Sequence, residues 1–110
     1  MKDGLYAVEF RTPLGSGTGV VTLINGNLSG GDSLMYYTGA YSLEGDAFTA
    51  KVKTGRHAHI PGFSSVFGRD QVTINLKGNV TGDTMTATGS SADAPGVTFS
   101  AKLTLIAVGG

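Results

Sequence analysis

The chain contains no cysteine. That removes a disulfide framework, thiolate metal sites and a cysteine nucleophile together. Net charge is absent too, because eight Lys and Arg cancel eight Asp and Glu. No one-sided field exists to gather phosphates, which argues against direct nucleic-acid binding. Met1-Lys2-Asp3-Gly4 passes straight into an alternating pattern. There is no apolar run of the ~7 residues that a signal peptide needs, and no membrane span. The expectation is a cytoplasmic protein without membrane association. The sequons at Asn27-Leu28-Ser29 and Asn79-Val80-Thr81 then read as chance. Linkers, repeats and low-complexity tracts are also missing. Residues 1–110 therefore read as one domain, of a size that buries roughly two thirds of the surface its unfolded chain exposes.

Glycine is plentiful: there are 18 glycines and only three prolines. With apolar residues spread along the whole chain, this points to many turns and tight strand packing rather than to disorder. The dominant signal is a period of two. Tyr6, Val8 and Phe10 alternate with Ala7, Glu9 and Arg11; Phe48, Ala50 and Val52 with Thr49, Lys51 and Lys53; Val72, Ile74 and Leu76 with Thr73, Asn75 and Lys77. At the C-terminus Val97, Phe99, Ala101, Leu103, Leu105 and Ala107 form one face against Thr98, Ser100, Lys102, Thr104 and Ile106.

Turn signals cut these runs at intervals of about 8–12 residues, the mark of an antiparallel meander. They are Pro13 to Gly17, Asn25-Gly26, Gly30-Gly31-Asp32, Glu44-Gly45-Asp46, Gly82-Asp83 and Ala94-Pro95-Gly96. Asn-Gly and Gly-Asp pairs supply the positive φ of tight hairpins. The expected strands are 4–12, 17–25, 27–30, 33–43, 47–54, 71–80, 84–91 and 97–107. Short connections favour an all-β, eight-stranded up-and-down antiparallel β-barrel. Residues 55–70 break the rhythm. Ile60, Phe63, Val66 and Phe67 are three or four apart, and Pro61 and Gly68 could open and close a short helical turn around 60–68 that covers one barrel end.

Candidate chemistry is sparse. Gly15, Gly17 and Gly19 lie in "GSGTG", but the spacing is not G-x-G-x-x-G and a strand follows, so tight packing explains them better than phosphate binding. His57 and His59 would share a strand face, yet two ligands fall short of a zinc site, so no metal is expected. Asp32, Glu44, Asp46, Asp83 and Asp93 sit in turns, where carboxylates cap their own backbone. No G-x-S-x-G elbow occurs, and neither an enzyme nor a cofactor is expected. Lys51, Lys53, Lys77 and Lys102 take outward phases, as a solvated wall with edge protection requires. Met35, Tyr37 and Tyr41 can point inward with Tyr6 and Phe10, where an eight-stranded barrel either fills itself or holds one small apolar ligand. Tyr6, Phe10, Met35 and Tyr37 are the candidate lining of that interior. Tyr36 makes the opposite phase of its strand apolar as well, which suggests a second subunit over the outer face.

"MKDGLYAVEF" and "GTGVVTLINGNLSGGDSLMYYTGAYS" resemble the amino-terminal half of the GrlR family, the global regulator repressors of type III secretion. The resemblance rests on the spacing of Lys2-Asp3-Gly4, Asn25-Gly26-Asn27, Gly30-Gly31-Asp32 and the Tyr-x-Gly at Tyr37 to Gly39; "HIPGFSSVFGRDQVTI" is similar more loosely. It implies a lipocalin-like (calycin) barrel, a cytoplasmic homodimer without enzyme activity, and negative regulation through protein contact with a transcriptional activator. The family's acidic surface loop falls on Ser42-Leu43-Glu44-Gly45-Asp46, which makes Glu44 and Asp46 the implied partner-binding residues.

Overall fold

A computed structural model of the chain describes residues 2–59, 61 and 71–109. It is a closed barrel of eight antiparallel strands, each hydrogen-bonded to its neighbours in chain order, with the last strand closing on the first. The strands are β1 Gly4–Thr12, β2 Gly15–Ile24, β3 Asn27–Gly31, β4 Met35–Glu44, β5 Ala47–Arg56, β6 Gln71–Thr81, β7 Thr84–Ser90 and β8 Phe99–Val108. Closure leaves no edge strand, although β2 runs beyond its ladder with β3 and β6 beyond its ladder with β7. The outward lysines Lys51, Lys53, Lys77 and Lys102 are exposed but have no edge to guard. The expected helical turn at 60–68 lies outside the described residues except for Pro61, which is in a turn.

The two ends of the barrel are built differently. At one end the connections are two-residue hairpins. Asn25 and Gly26 both have positive φ, 51° and 81°, the type I′ geometry that matches strand twist. Gly45 and Gly82 each open a Gly-Asp turn at φ 61°. The other end has Pro13-Leu14 and the longer connections 32–34, 57–70 and 91–98. The 91–98 connection is fastened to the wall. Thr73, beyond the β6–β7 ladder, donates its backbone N–H to Asp93 Oδ2 at 2.9 Å, so that donor is satisfied. Ala94 of this connection is buried in the core.

The core follows the same division. The four most deeply buried large side chains, Tyr6, Leu23, Phe48 and Met85, all sit near the hairpin end and are at most 1% exposed. Tyr41 stacks on Phe48 there, with ring centroids 5.5 Å apart. That end is a packed plug. Its apolar burial supplies much of the folding free energy, at about 25 cal/mol per Å² removed from water.

One strand departs from simple alternation. Tyr6 pairs with Leu105 and Leu5 with Ala107, so Ile106 is an extra residue in β8. A bulge of this kind reverses the inward–outward phase beyond it. Ala107 therefore faces out and is exposed, whereas strict period two places it inside with Leu105. The Tyr36 ring lies where a side chain on Gly55, its partner on β5, would have to be. The chain itself covers part of this ring, and Tyr36 remains 43% exposed.

Candidate functional site

The wider half of the interior lies toward the end with the longer connections. There the inward positions of β2 are Gly17 and Gly19 instead of large side chains. Their missing side chains give room to aromatic rings from the flanking strands. A Cβ on Gly17 would stand 2.7 Å from the Phe10 ring, and one on Gly19 would stand 3.1 Å from the Tyr37 hydroxyl oxygen. Phe10 stacks on Phe99 at a centroid distance of 6.1 Å and meets Tyr37 edge-on at 6.2 Å. Both geometries are favoured aromatic arrangements. The "GSGTG" stretch thus serves close packing around a cavity.

The cavity has a volume of about 290 Å³, and its walls include Phe10, Met35, Tyr37, Ile74, Phe99 and Leu103. Of the four residues expected to line an interior site, Phe10, Met35 and Tyr37 do so. Tyr6 does not: it belongs to the packed plug, where its hydroxyl donates to the Lys2 carbonyl. Two larger concavities, of about 990 and 660 Å³, run along β6, β7 and β8 beside Lys77, Thr88 and Ser100. Both are more open to solvent than the interior cavity and their walls are mixed, so they are weaker candidates.

Asp32 is the one charged side chain among the described residues lining the interior cavity. Its carboxylate is held by its own loop: Oδ1 accepts the backbone N–H of Leu34 at 2.8 Å and of Met35 at 2.7 Å. This is the turn-capping role expected of it. The other oxygen, Oδ2, accepts the Tyr37 hydroxyl. Burial, and then the hydrogen bond to Asp32, push the Tyr37 phenol far above its ordinary pKa, so it stays protonated. The Asp32–Tyr37 pair was not visible as a contact in the sequence. The available signal is geometric: in a β3–β4 hairpin, Asp32 at the turn and Tyr37 on β4 lie within one another's reach.

The remaining candidates are elsewhere. The His57 ring nitrogen Nε2 is 2.8 Å from the Asp32 carbonyl oxygen, and the His57 backbone N–H donates to the Leu34 carbonyl at 3.0 Å. His59 Nδ1 lies 3.4 Å from the Arg56 guanidinium. The two histidines thus have separate partners, and no group of three potential metal ligands occurs among the described residues. Glu44 and Asp46 flank Gly45 in the exposed β4–β5 turn, at the opposite end from the cavity. No hydrogen bond or ion pair engages either carboxylate among the described residues. No protein-family model matches the chain, and none of the curated proteins matches it.

Proposed function

We propose that this barrel is a non-enzymatic binding protein that takes a small, largely apolar ligand into its interior. The observation that carries the reading is the cavity of about 290 Å³ walled by Phe10, Tyr37, Phe99, Met35 and Ile74. Ligand sites begin near ~300 Å³, and an apolar cavity of roughly 150 Å³ is enough for benzene. The space suits a compact molecule of about ten non-hydrogen atoms, on that benzene scale. Titration with ethylbenzene, followed by amide chemical shifts, tests this. Saturable shifts confined to residues around Phe10, Tyr37 and Phe99 are expected. Absence of saturable shifts at these positions would remove the reading.

A second reading is negative regulation of type III secretion, through cytoplasmic protein contact with a transcriptional activator. It is supported by the resemblance to the GrlR family and by the exposed carboxylates of Glu44 and Asp46, which no other described side chain engages. Homodimer formation belongs to this reading. Val20 and Tyr36 flank Gly31 in one row of the outer wall and are 44% and 43% exposed. Sedimentation at rising concentration tests the dimer, and capture of a partner from the native host tests the contact.

A further inference from the structure

We infer that the interior site selects ligands whose polar head donates a hydrogen bond, an amine or a hydroxyl, and discriminates against carboxylates. This rests on the ligand-binding reading above and specifies the chemistry of the same cavity.

Donors and acceptors at the cavity wall are unequal in number. An ionised carboxylate offers about four lone-pair positions and no donor. Three positions on Asp32 are taken, two by the Leu34 and Met35 amides on Oδ1 and one by the Tyr37 hydroxyl on Oδ2. One acceptor position on Oδ2 is left. The Tyr37 hydrogen is committed to Asp32, so toward the cavity the phenol oxygen also offers only acceptor capacity. Thr54, the polar residue that β5 adds to the described lining, has its hydroxyl hydrogen engaged with the Val72 carbonyl at 3.2 Å.

Charge points the same way. No Lys, Arg or His is among the described residues that line the cavity, so no side chain among these carries a charge opposite to Asp32. A ligand carboxylate would face a like charge across apolar walls, where charge interactions are screened less than in water. An ammonium would face an opposite charge and fill the open acceptor position. A hydroxyl would fill the same position without the charge. The hydroxyls of Ser16, Thr18 and Ser33 also belong to the lining, on exposed residues that solvent reaches.

The discriminating experiment uses one skeleton with four ends: ethylbenzene, 2-phenylethanol, 2-phenylethylamine and phenylacetate. Dissociation constants come from amide shifts of the intact protein. The amine and the alcohol should bind more tightly than phenylacetate by about tenfold, as one charge-assisted hydrogen bond implies. Asp32→Asn should remove the difference between amine and carboxylate. Tyr37→Phe, which keeps the carboxylate, should preserve the amine's advantage. Phenylacetate binding as tightly as the amine would overturn the inference, while saturable ethylbenzene binding would leave the apolar site standing. Failure of all four probes would instead overturn the ligand-binding reading itself. The wild-type series decides even if Asp32→Asn does not fold.

Discussion

The ring of Phe10 occupies the space that a side chain on Gly17, its partner across β1 and β2, would need; a Cβ there would stand 2.7 Å from the ring. This pairing fixes one wall of the cavity. Gly17→Ala should therefore act on the cavity more than on the fold. The obstructing atoms belong to a side chain that is free to tilt, so the expected destabilisation is about 1 kcal/mol, at the mild end of overpacking. The tilted ring should narrow the site and weaken ethylbenzene binding. Denaturant unfolding beside the amide-shift titration checks both parts; unchanged affinity would separate Phe10 from the site.

Phe99 supports Phe10 by stacking and is buried, 9% exposed. Truncation by Phe99→Ala should cost about 3–5 kcal/mol, the range for a core aromatic. Urea denaturation measures it. A near-neutral result would show that β8 contributes little to the core at this position.

Alkaline pH should weaken the fold through Tyr37. Its folded-state pKa lies above the ordinary phenol value of 10.0, first because of burial and then because of its hydrogen bond to Asp32. A group whose folded pKa is raised binds its proton more tightly in the folded chain. Its contribution to stability is fully present below the unfolded pKa and is lost as pH rises above that value. Unfolding free energy should therefore fall above about pH 10. Tyr37→Phe should lessen that dependence, the remainder coming from Tyr6 and Tyr41, whose phenol pKa values burial also raises, while costing about 1–3 kcal/mol at neutral pH for the lost charge-assisted bond. Stability measured across alkaline pH for both proteins provides the comparison. Equal slopes would exclude Tyr37 as a titrating group.

Glu44→Lys combined with Asp46→Lys should leave the melting temperature within a few degrees, because surface changes away from buried partners usually fall within about 0.5 kcal/mol. Both residues flank a turn whose geometry is set by Gly45 at φ 61°. If the turn is a protein-contact site, the double change should abolish capture of its partner. Capture at the original level would remove the turn from the account.

The strands were legible because each turn announces itself. Asn25-Gly26, Gly45-Asp46 and Gly82-Asp83 carry positive φ at residues that tolerate it, and the period of two between them assigns inside and outside. The bulge at Ile106 was not legible, since an extra residue in the all-apolar run "LIAV" leaves no mark in the pattern. The cavity was half legible. Phe10, Met35 and Tyr37 read as inward, but so did Tyr6, because strand phase says nothing about depth along the barrel axis. Depth comes from register: Gly17 and Gly19 lie beside Phe10 and Val8, whereas Leu23 and Val21 lie beside Gly4 and Tyr6. Tyr6 thus meets a branched side chain, Val21, at the plug, whereas Phe10 and Val8 meet glycine toward the cavity. Asp32 read as a turn cap, and Oδ1 is one; the role of Oδ2 depended on a tyrosine across the hairpin.

The separation between the plug around Tyr6, Leu23, Phe48 and Met85 and the chamber around Phe10 and Tyr37 has a consequence for how such a protein can change. Substitutions far apart add nearly independently, while those sharing a contact do not. The chamber walls can therefore drift, accumulate altered selectivity and be recoded by design while the plug keeps the chain above its folding threshold. A library randomised at Phe10, Ser33 and Tyr37, chamber residues that are not fully buried, should retain more folded members than the same diversity at Leu23, Phe48 and Met85.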